Sequence, residues 1–263
     1  MSDLPGAALP ASYFWQVFAL LRRSAVQLVR PPQAPSRGAA ARRLMKQALL
    51  LAGVGAAVIV VLMLTFDAIE IGMMPKRGTA SLWPVRILTD FGKVAHVLGL
   101  LAAALIAIGL VVPLLRNRAR LRLMRFGTDV QYFFLAVLIP VLMAELIKWV
   151  VGRARPFVGG EADPSNFAPF NGTEAYSSLP STHTVTGFAL AFAVAAVWPK
   201  TRVLMAVYAL AIAASRLVLL AHHPSDVVAG GLLGVIGAMA VRYWFAARQL
   251  GFVIRDDGEI VPR

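Results

Sequence analysis

The chain lacks cysteine altogether, and it has few charged residues for its length. Without cysteine, its 263 residues can form no disulfide and supply no thiolate to a metal ion. Charged side chains make up 15% of the chain and hydrophobic side chains 59%, with a mean hydropathy of +0.71. This apolar content excludes an ordinary soluble globular domain, so the sequence predicts an integral membrane protein.

Acidic residues are scarce as well. The 13 aspartates and glutamates face 26 lysines and arginines, which gives a formal net charge of +13. Such an excess is typical of nucleic-acid-binding proteins, but here the basic residues collect at the ends of apolar stretches, as membrane topology requires. We therefore expect a lipid bilayer, and no nucleic acid, as the partner.

Six apolar stretches meet or approach the roughly 20 residues that a helix needs to cross a bilayer. They lie near residues 44–66, 90–115, 128–151, 183–198, 202–221 and 225–246. The predicted fold class is therefore all-α, a polytopic membrane helical bundle of six transmembrane helices. We expect a cytoplasmic basic segment and linker over residues 1–43, one six-span domain over 44–247, and a cytoplasmic tail over 248–263.

The basic residues also predict how the spans are oriented. Arginines concentrate before the first span and between the second and third spans, which places both segments in the cytoplasm. With six spans, the tail falls on the same side. The segments near 67–89, 152–182 and 222–225 then lie on the outer side.

The N-terminal segment has an amphipathic pattern. Phe14, Phe18 and Leu21 recur at helical spacing, with Arg22 and Arg23 elsewhere on the helix. This pattern predicts a helix that lies on the inner leaflet. The alternative is a disordered basic leader.

The first of three polar clusters begins inside the third span. Lys148 and Arg155 are seven residues apart, so a continuing helix would stack both cations on one face. An ion pair of Lys148 with Glu145 is the structural alternative. Arg153 points elsewhere on that helix, and we expect it to be an interfacial anchor outside the site.

The second cluster has the pattern of a helix start. Pro180 ends a loop, Ser181 is placed to be the N-cap, and an apolar run follows His183. Free amides from Thr182 onward, together with the helix dipole, would seat an anion. Capping alone is the alternative.

The third cluster combines an arginine inside an apolar span with a histidine and a carboxylate. Arg216 interrupts the fifth span, and an intramembrane arginine is functional by default. Asp226 is predicted in the first turn of the next helix, close enough to accept a proton from His222 and leave its other nitrogen free to attack. The alternative is a capped helix with an interfacial histidine pair, in which His223 supports the turn.

Together these residues resemble the tripartite signature of the type 2 phosphatidic acid phosphatase superfamily. The pattern is Lys148, six residues, Arg155-Pro156; Pro180-Ser181-Thr182-His183; and Ser215-Arg216, five residues, His222, three residues, Asp226. The resemblance implies that His222 attacks phosphorus to form a phosphohistidine, that Asp226 orients it, and that His183 protonates the leaving oxygen. It further implies a set of phosphate-binding residues: Lys148, Arg155, Ser181, Arg216 and Thr182, the last at a position where the family usually has glycine.

The function that this resemblance implies is hydrolysis of a lipid phosphate monoester or pyrophosphate at the outer face of a bacterial inner membrane. No cofactor or metal is expected. Candidate substrates are undecaprenyl diphosphate, phosphatidylglycerol phosphate, phosphatidic acid and a lipid A phosphate. Three alternatives remain: a lipid phosphotransferase, a non-catalytic lipid or anion transporter, and a metal-dependent reaction using Glu161, Asp163 and Glu174.

Overall fold

The computed structural model of the chain describes residues 12–75, 78–156, 158 and 163–263. The all-α prediction is confirmed over these residues, which form a helical bundle with one small hairpin. The helices are α1 (Tyr13–Val29), α2 (Arg37–Thr65), α3 (Asp67–Met73), α4 (Trp83–Asp90), α5 (Val94–Val111), α6 (Asn117–Val151), α7 (Thr182–Val197), α8 (Arg202–Val218) and α9 (Pro224–Ala247). The hairpin pairs β1 (Phe252–Ile254) with β2 (Ile260–Pro262) in antiparallel fashion.

Five helical stretches in the described part of the chain are long and apolar enough to cross a membrane. They are Arg37–Thr65, Ala80–Leu114, Asn117–Val151, Pro199–Val218 and Pro224–Ala247. The apolar helix α7 is shorter, with 16 residues. Each of the six predicted stretches overlaps one helix, and large apolar side chains such as Leu64 (80% exposed) and Leu100 (73% exposed) face outward, as a lipid-facing surface requires.

The short helix α7 lies at the centre of the bundle, where it packs against α6, α8 and α9. Two glycines of α9 permit this close packing. A Cβ added to Gly230 would lie 2.6 Å from the Ser181 carbonyl oxygen, and one added to Gly234 would lie 2.5 Å from the Val185 carbonyl oxygen. Small residues at this spacing let two helix backbones approach closely. The start of α7 is thereby fixed against the start of α9.

The segment 67–89, predicted as a loop, contains two short helices. Acidic residues in the first turn of α3, Asp67 and Glu70, favour its N-terminal dipole, and Pro84 stands in the first turn of α4. Helix α4 packs against α8. The loop prediction was wrong because helices of seven and eight residues give too short a periodic signal.

The opposite end of the bundle carries α1 and the hairpin. The ring of Tyr132 in α6 packs edge-on against Phe245 in α9 and Phe252 in β1, with centroids 5.4 and 4.9 Å away. Hydrogen bonds hold helix α1 against the bundle, from the Tyr13 hydroxyl to the Leu110 carbonyl (2.7 Å), from the Trp244 indole to the Leu28 carbonyl (3.0 Å) and from the Gln131 amide to the Ser24 hydroxyl (2.9 Å). Residues predicted as a tail are thus folded onto the bundle.

Candidate active site

The three predicted clusters meet at one cavity of about 570 Å³. It lies where α6 and α8 end and where α7 and α9 begin. Six of the eight predicted site residues line it: Lys148, Arg155, Thr182, His183, Arg216 and His222. The other two, Ser181 and Asp226, are fully buried and are not among the lining residues.

The four helix ends make this cavity electropositive. Lys148 and Arg216 occupy the last turns of α6 and α8, where a cation is favoured by the negative end of the helix dipole. The N-termini of α7 and α9 point their free amides to the same end of the bundle. Cations and helix amides together suit an anion such as phosphate.

Lys148 is 9% exposed and is joined to α7 through a three-residue contact. Its Nζ donates to the Glu145 Oε1 (3.0 Å) and to the Thr182 hydroxyl oxygen, and the Thr182 hydroxyl donates to the same Glu145 oxygen (2.9 Å). The structural alternative for Lys148, an ion pair with Glu145, is therefore present in the fold. It does not remove Lys148 from the cavity, because both residues line the wall.

Arg155 reaches the cavity from a loop and not from a continued helix. Helix α6 ends at Val151 because Gly152 adopts a left-handed conformation with φ +58°, and a Cβ there would lie 1.9 Å from the Ala168 carbonyl oxygen. The expected two-turn stacking of Arg155 on Lys148 is therefore wrong in detail. Arg155 Nε donates to the Glu174 carbonyl oxygen at 3.0 Å, which holds the side chain at the cavity wall.

His222 is 2% exposed and lies in the turn between α8 and α9. Its Nδ1 lies 2.8 Å from the Ser178 carbonyl oxygen, which can only accept, so Nδ1 carries the proton and Nε2 keeps its lone pair. Burial, and after it Arg216, Arg155 and Lys148, holds the pKa of His222 well below its usual value. The imidazole is therefore neutral at pH 7 and has a free nucleophilic nitrogen.

Asp226 does not have the partner that the sequence predicted. Its Oδ1 accepts from Arg153 (2.6 Å), and its Oδ2 accepts from the Ser178 hydroxyl (2.5 Å) and the His223 amide (2.9 Å). The expected hydrogen bond from the His222 ring to Asp226 is therefore not formed. The His222 ring donates to the Ser178 carbonyl instead, and Asp226 accepts from the Ser178 hydroxyl. The physical reason is that Asp226 caps its own helix start and neutralises a buried arginine, so its oxygens face away from the imidazole.

Arg153, expected to be an interfacial anchor, is fully buried behind the cavity. One terminal nitrogen donates to Asp226 and to the Ser225 hydroxyl, both at 2.6 Å, and the other donates to Asp67 at 2.8 Å. The Arg153 carbonyl also accepts from the Ser178 amide at 3.0 Å. Sequence reasoning missed this network because Asp67 and Arg153 are 86 positions apart, and only the fold pairs them.

Helix α4 and the start of α5 supply wall residues that sequence reasoning also missed. The Thr89 hydroxyl accepts from Arg216 at 2.7 Å, and Arg86 and Lys93 line the same cavity. Lys93 pairs with Asp90 at 2.7 Å. No motif singled out these residues: Arg86 and Thr89 lie in the segment predicted to be a loop, and Lys93 lies at the start of the second predicted span.

The second cluster starts α7 as predicted, with Ser181 at the N-cap position. The Ser181 hydroxyl oxygen accepts from the Thr184 hydroxyl at 3.0 Å and makes no capping bond to a backbone amide of α7. His183 lines the cavity, and its buried Nε2 has no hydrogen-bond partner within the described residues. That nitrogen is available to a bound substrate.

The three acidic residues considered as metal ligands lie in different surroundings. Glu161 lies outside the described residues, as does Phe157. Asp163 accepts from the Ser165 amide at 2.8 Å, as in a local turn. Glu174 lines the cavity and lies 3.7 Å from the Arg155 guanidinium.

This fold and cavity define a helical membrane protein with a phosphate-type anion site, and comparisons with known proteins agree. Residues 129–250 match the PAP2 superfamily, a range that contains all three clusters. The chain is 36% identical over 127 residues to a lipid A 1-phosphatase of Rhizobium johnstonii, covering 48% of this chain and 52% of that protein. A lipid A 1-phosphatase of Rhizobium etli is 35% identical over 127 residues, with 48% and 55% covered.

A third relative is matched over more of its length. The bacitracin transport permease protein BcrC of Bacillus licheniformis is 31% identical over 175 residues, covering 64% of this chain and 81% of that protein. The chain therefore belongs to the PAP2 superfamily, which confirms the resemblance predicted from its motifs. The chain spans about half the length of the two Rhizobium relatives, 52% and 55%. No solved structure matches it.

Proposed function

We propose that this protein is a membrane phosphatase that hydrolyses a lipid phosphate monoester or diphosphate through a phosphohistidine intermediate. The observation that carries the proposal is that the two histidines of the motifs, His183 and His222, and their three cations line one cavity within a bundle of apolar helices. Phosphoryl transfer asks chiefly for positioning and for neutralisation of charge on the phosphate oxygens. Lys148, Arg155 and Arg216 supply that charge.

In the first chemical step, His222 Nε2 attacks phosphorus while the bond from phosphorus to the leaving oxygen breaks. His183 donates a proton to that oxygen, so the lipid leaves as a neutral alcohol or as a protonated monophosphate. Ser178 holds the proton on His222 Nδ1 throughout. The product is a phosphohistidine whose three oxygens face Lys148, Arg155 and Arg216.

In the second step, water attacks the phosphohistidine and the bond between phosphorus and nitrogen breaks. His183, now neutral, accepts the proton of the attacking water. Inorganic phosphate is released and both histidines return to their starting states. Arg153, Asp226 and Ser178 keep the acceptor of His222 in place during both steps.

The substrate class follows from the position of the cavity and from the relatives. A cationic cavity at the ends of lipid-facing helices suits a phosphate headgroup whose acyl or prenyl chain stays in the bilayer. Two relatives are lipid A 1-phosphatases, so we propose a lipid A phosphate as the first substrate to test. Undecaprenyl diphosphate, phosphatidylglycerol phosphate and phosphatidic acid remain in the panel.

We further propose a topology with six membrane crossings in a bacterial inner membrane, with both termini in the cytoplasm. Helix α7 would be the fourth crossing in chain order and would bring the total to six. Its 16 residues are mostly enclosed by other helices. The cavity would then face the periplasm, and α1, with Phe14 81% exposed, would lie on the inner leaflet. The arginines at positions 116–125 support this orientation.

Two alternatives use the same cavity. A phosphotransferase would resolve the phosphohistidine with an acceptor hydroxyl in place of water. A transporter would bind the lipid phosphate without cleaving it, and the name of the Bacillus relative, a transport permease protein, is the observation that favours it. Among the residues that the structure describes, His183 Nε2 has no hydrogen-bond partner, and His222 is neutral. This arrangement favours catalysis, because binding alone needs no nucleophile.

The test is a phosphate-release assay on purified protein in detergent, with the four lipid phosphates and no added metal. We expect His222→Ala to abolish release from every substrate, because His222 Nε2 is the group that attacks phosphorus in the proposed first step. His183→Ala should lower kcat by roughly 10²- to 10⁴-fold, and by much less for a p-nitrophenyl phosphate ester, which needs no proton on its leaving group.

Circular dichroism and thermal melting serve as controls for folding of both variants. Undiminished turnover in His222→Ala would reject the proposed mechanism. Lipid binding by wild-type protein without phosphate release, with or without Mg²⁺, would favour the transporter. Activity that disappears with chelator and returns with Mg²⁺ would favour the metal-dependent reaction.

A further inference from the structure

We propose that the end of the bundle opposite the active site carries a second anion site, which binds the phosphate group of an anionic ligand. Three arginines line a cavity of about 220 Å³ there: Arg43 of α2, Arg202 at the start of α8, and Arg242 near the end of α9. Arg242 lies 18 residues beyond Pro224, or about 27 Å along the helix, so this cavity is separate from the active site.

The charge of this second cavity is not balanced by its own wall. Glu259 is the acidic residue among the lining residues, and its carboxylate pairs with Arg255 at 2.6 Å, outside the cavity lining. Arg43 lies 3.6 Å from Asp257, where both side chains are about half exposed, so solvent screens that pair. Three guanidinium groups around one small space repel each other until an anion enters.

Arg242 is held by packing rather than by an acid. Its guanidinium lies over the Phe192 ring, 5.1 Å from the centroid. Its Nε is buried and has no hydrogen-bond partner within the described residues. Glu259 in the same wall is already paired with Arg255, so a bound anion would supply the acceptor that the buried Arg242 Nε lacks among the described residues.

The wall formed by the hairpin is fixed in place. Gly258, in the turn between β1 and β2, approaches α2 so closely that a Cβ would lie 2.7 Å from the Ala39 carbonyl carbon. Its positive φ of +82° also suits glycine. The hairpin therefore closes the cavity against α2, which makes it a built recess and not a gap between mobile chains.

The ligand class follows from the donors. Guanidinium forks match the geometry of phosphate oxygens, and Gln47 adds a neutral amide to the wall. Leu44, Met239 and Ile260 supply an apolar side next to the arginines, as a glycerol or acyl portion requires. Basic recesses between transmembrane helices bind anionic phospholipid headgroups, and free inorganic phosphate has the same chemistry.

Binding to purified full-length protein in neutral detergent tests the proposal with three probes: phosphatidylglycerol, phosphatidylcholine and inorganic phosphate. The test variant is Arg202→Gln/Arg242→Gln, and the matched control is Arg118→Gln, an exposed arginine at the same end in α6. We expect the double variant to bind phosphatidylglycerol roughly tenfold more weakly, whereas the control binds as wild type. Phosphatidylcholine should bind all three proteins equally.

Inorganic phosphate separates the two sources of the anion. If equilibrium dialysis shows that the double variant has lost one of two phosphate sites while its phosphatidylglycerol affinity is unchanged, the site takes a soluble anion. If the double variant binds phosphatidylglycerol more weakly but keeps both phosphate sites, the second cavity takes the lipid headgroup. Equal affinity of wild type and double variant for both probes would overturn the proposal. Phosphatase activity of the double variant itself controls for its folding.

Discussion

The Ser178 backbone carbonyl, and not the Asp226 carboxylate, accepts the proton of His222 Nδ1 and so sets the tautomer of the ring. The Ser178 carbonyl fixes the tautomer without adding a negative charge, and its hydrogen bond only partly opposes burial and the three cations, which lower the pKa of the ring. The imidazole therefore stays neutral and nucleophilic below its usual pKa of about 6.5. The carboxylate of Asp226 still matters, because it holds the Ser178 hydroxyl and through it the carbonyl's position.

Arg153 is the residue on which this arrangement depends most. Arg153→Lys keeps the charge but loses the fork that joins Asp67, Asp226 and Ser225, so we expect Ser178 and His222 to shift. A small misplacement of a reacting group lowers kcat by roughly ten- to hundredfold. KM should change little, because Arg153 is not among the residues that line the cavity.

The measurement is the separate effect on kcat and KM, beside Arg125→Lys as an exposed control at the other end of α6. Asp67→Asn, which keeps the shape of the network, should show the same change of kcat in a milder form. Loss of a buried partner costs about 3–5 kcal/mol, so melting temperature is recorded for each variant. A rise in KM with unchanged kcat would contradict the positioning role.

Glu70 is a buried carboxyl beside this network, and it makes stability depend on pH. It is 1% exposed, and burial, then Asp67, then Asp226, raises its pKa from 4.5 to about 7. Because the folded pKa is raised, the protonated form stabilises the fold fully below pH 4.5, and this contribution is lost as pH rises to about 7. Glu70→Gln replaces the carboxyl with a neutral amide, so this loss of folding stability at higher pH should not occur.

We therefore expect the melting temperature of Glu70→Gln to match wild type at pH 4.5 and to exceed it at pH 8. The difference should grow between these values and stay constant above them. Thermal melting of both proteins in detergent from pH 4.5 to 9 measures it. A constant difference at every pH would mean that the Glu70 pKa is the same in the folded and unfolded protein, which would contradict the prediction.

Helix α7 is the element through which the site is assembled. Its first residue, Thr182, joins it to Glu145 and Lys148 of α6, and Gly230 of α9 lets its N-cap residue approach. A side chain at a position where the family usually has glycine thus acts as a tie between two helices. The tie orients the Lys148 ammonium, which is buried and needs its acceptors.

Replacing the Thr182 hydroxyl tests this tie. Thr182→Val keeps the shape of the side chain but removes one acceptor of Lys148, which costs about 1–3 kcal/mol. We expect KM for the lipid phosphate to rise about three- to tenfold, because Lys148 loses its fixed position, and Thr182→Ser to stay close to wild type. Steady-state kinetics on the three proteins decides, and equal KM values would show that the hydroxyl does not act on the site.

The fold and the site could be predicted from the sequence to different extents. Residues with local signals were found: Arg216 interrupts an apolar run, and Pro224 with Asp226 has the pattern of a helix start. Contacts between distant segments could not be predicted, because the residues around Arg153 carry no local signal that it pairs with Asp67. Helices α3 and α4 were missed for the same reason, since their contacts with the rest of the bundle stabilise them more than their own short sequences do.

The absence of cysteine allows the orientation of the whole molecule to be tested with single substitutions. Ser165→Cys places a thiol in the loop beside the active site, and Asp256→Cys places one in the hairpin at the other end; both positions are exposed. If the termini are cytoplasmic, a membrane-impermeant maleimide should label Cys at 165 in intact spheroplasts. It should label Cys at 256 only after the membrane is permeabilised. Each variant must retain phosphatase activity, since misfolded protein could label from either side. The reverse pattern would place the active site in the cytoplasm, and a lipid phosphate confined to the outer leaflet would then be out of its reach.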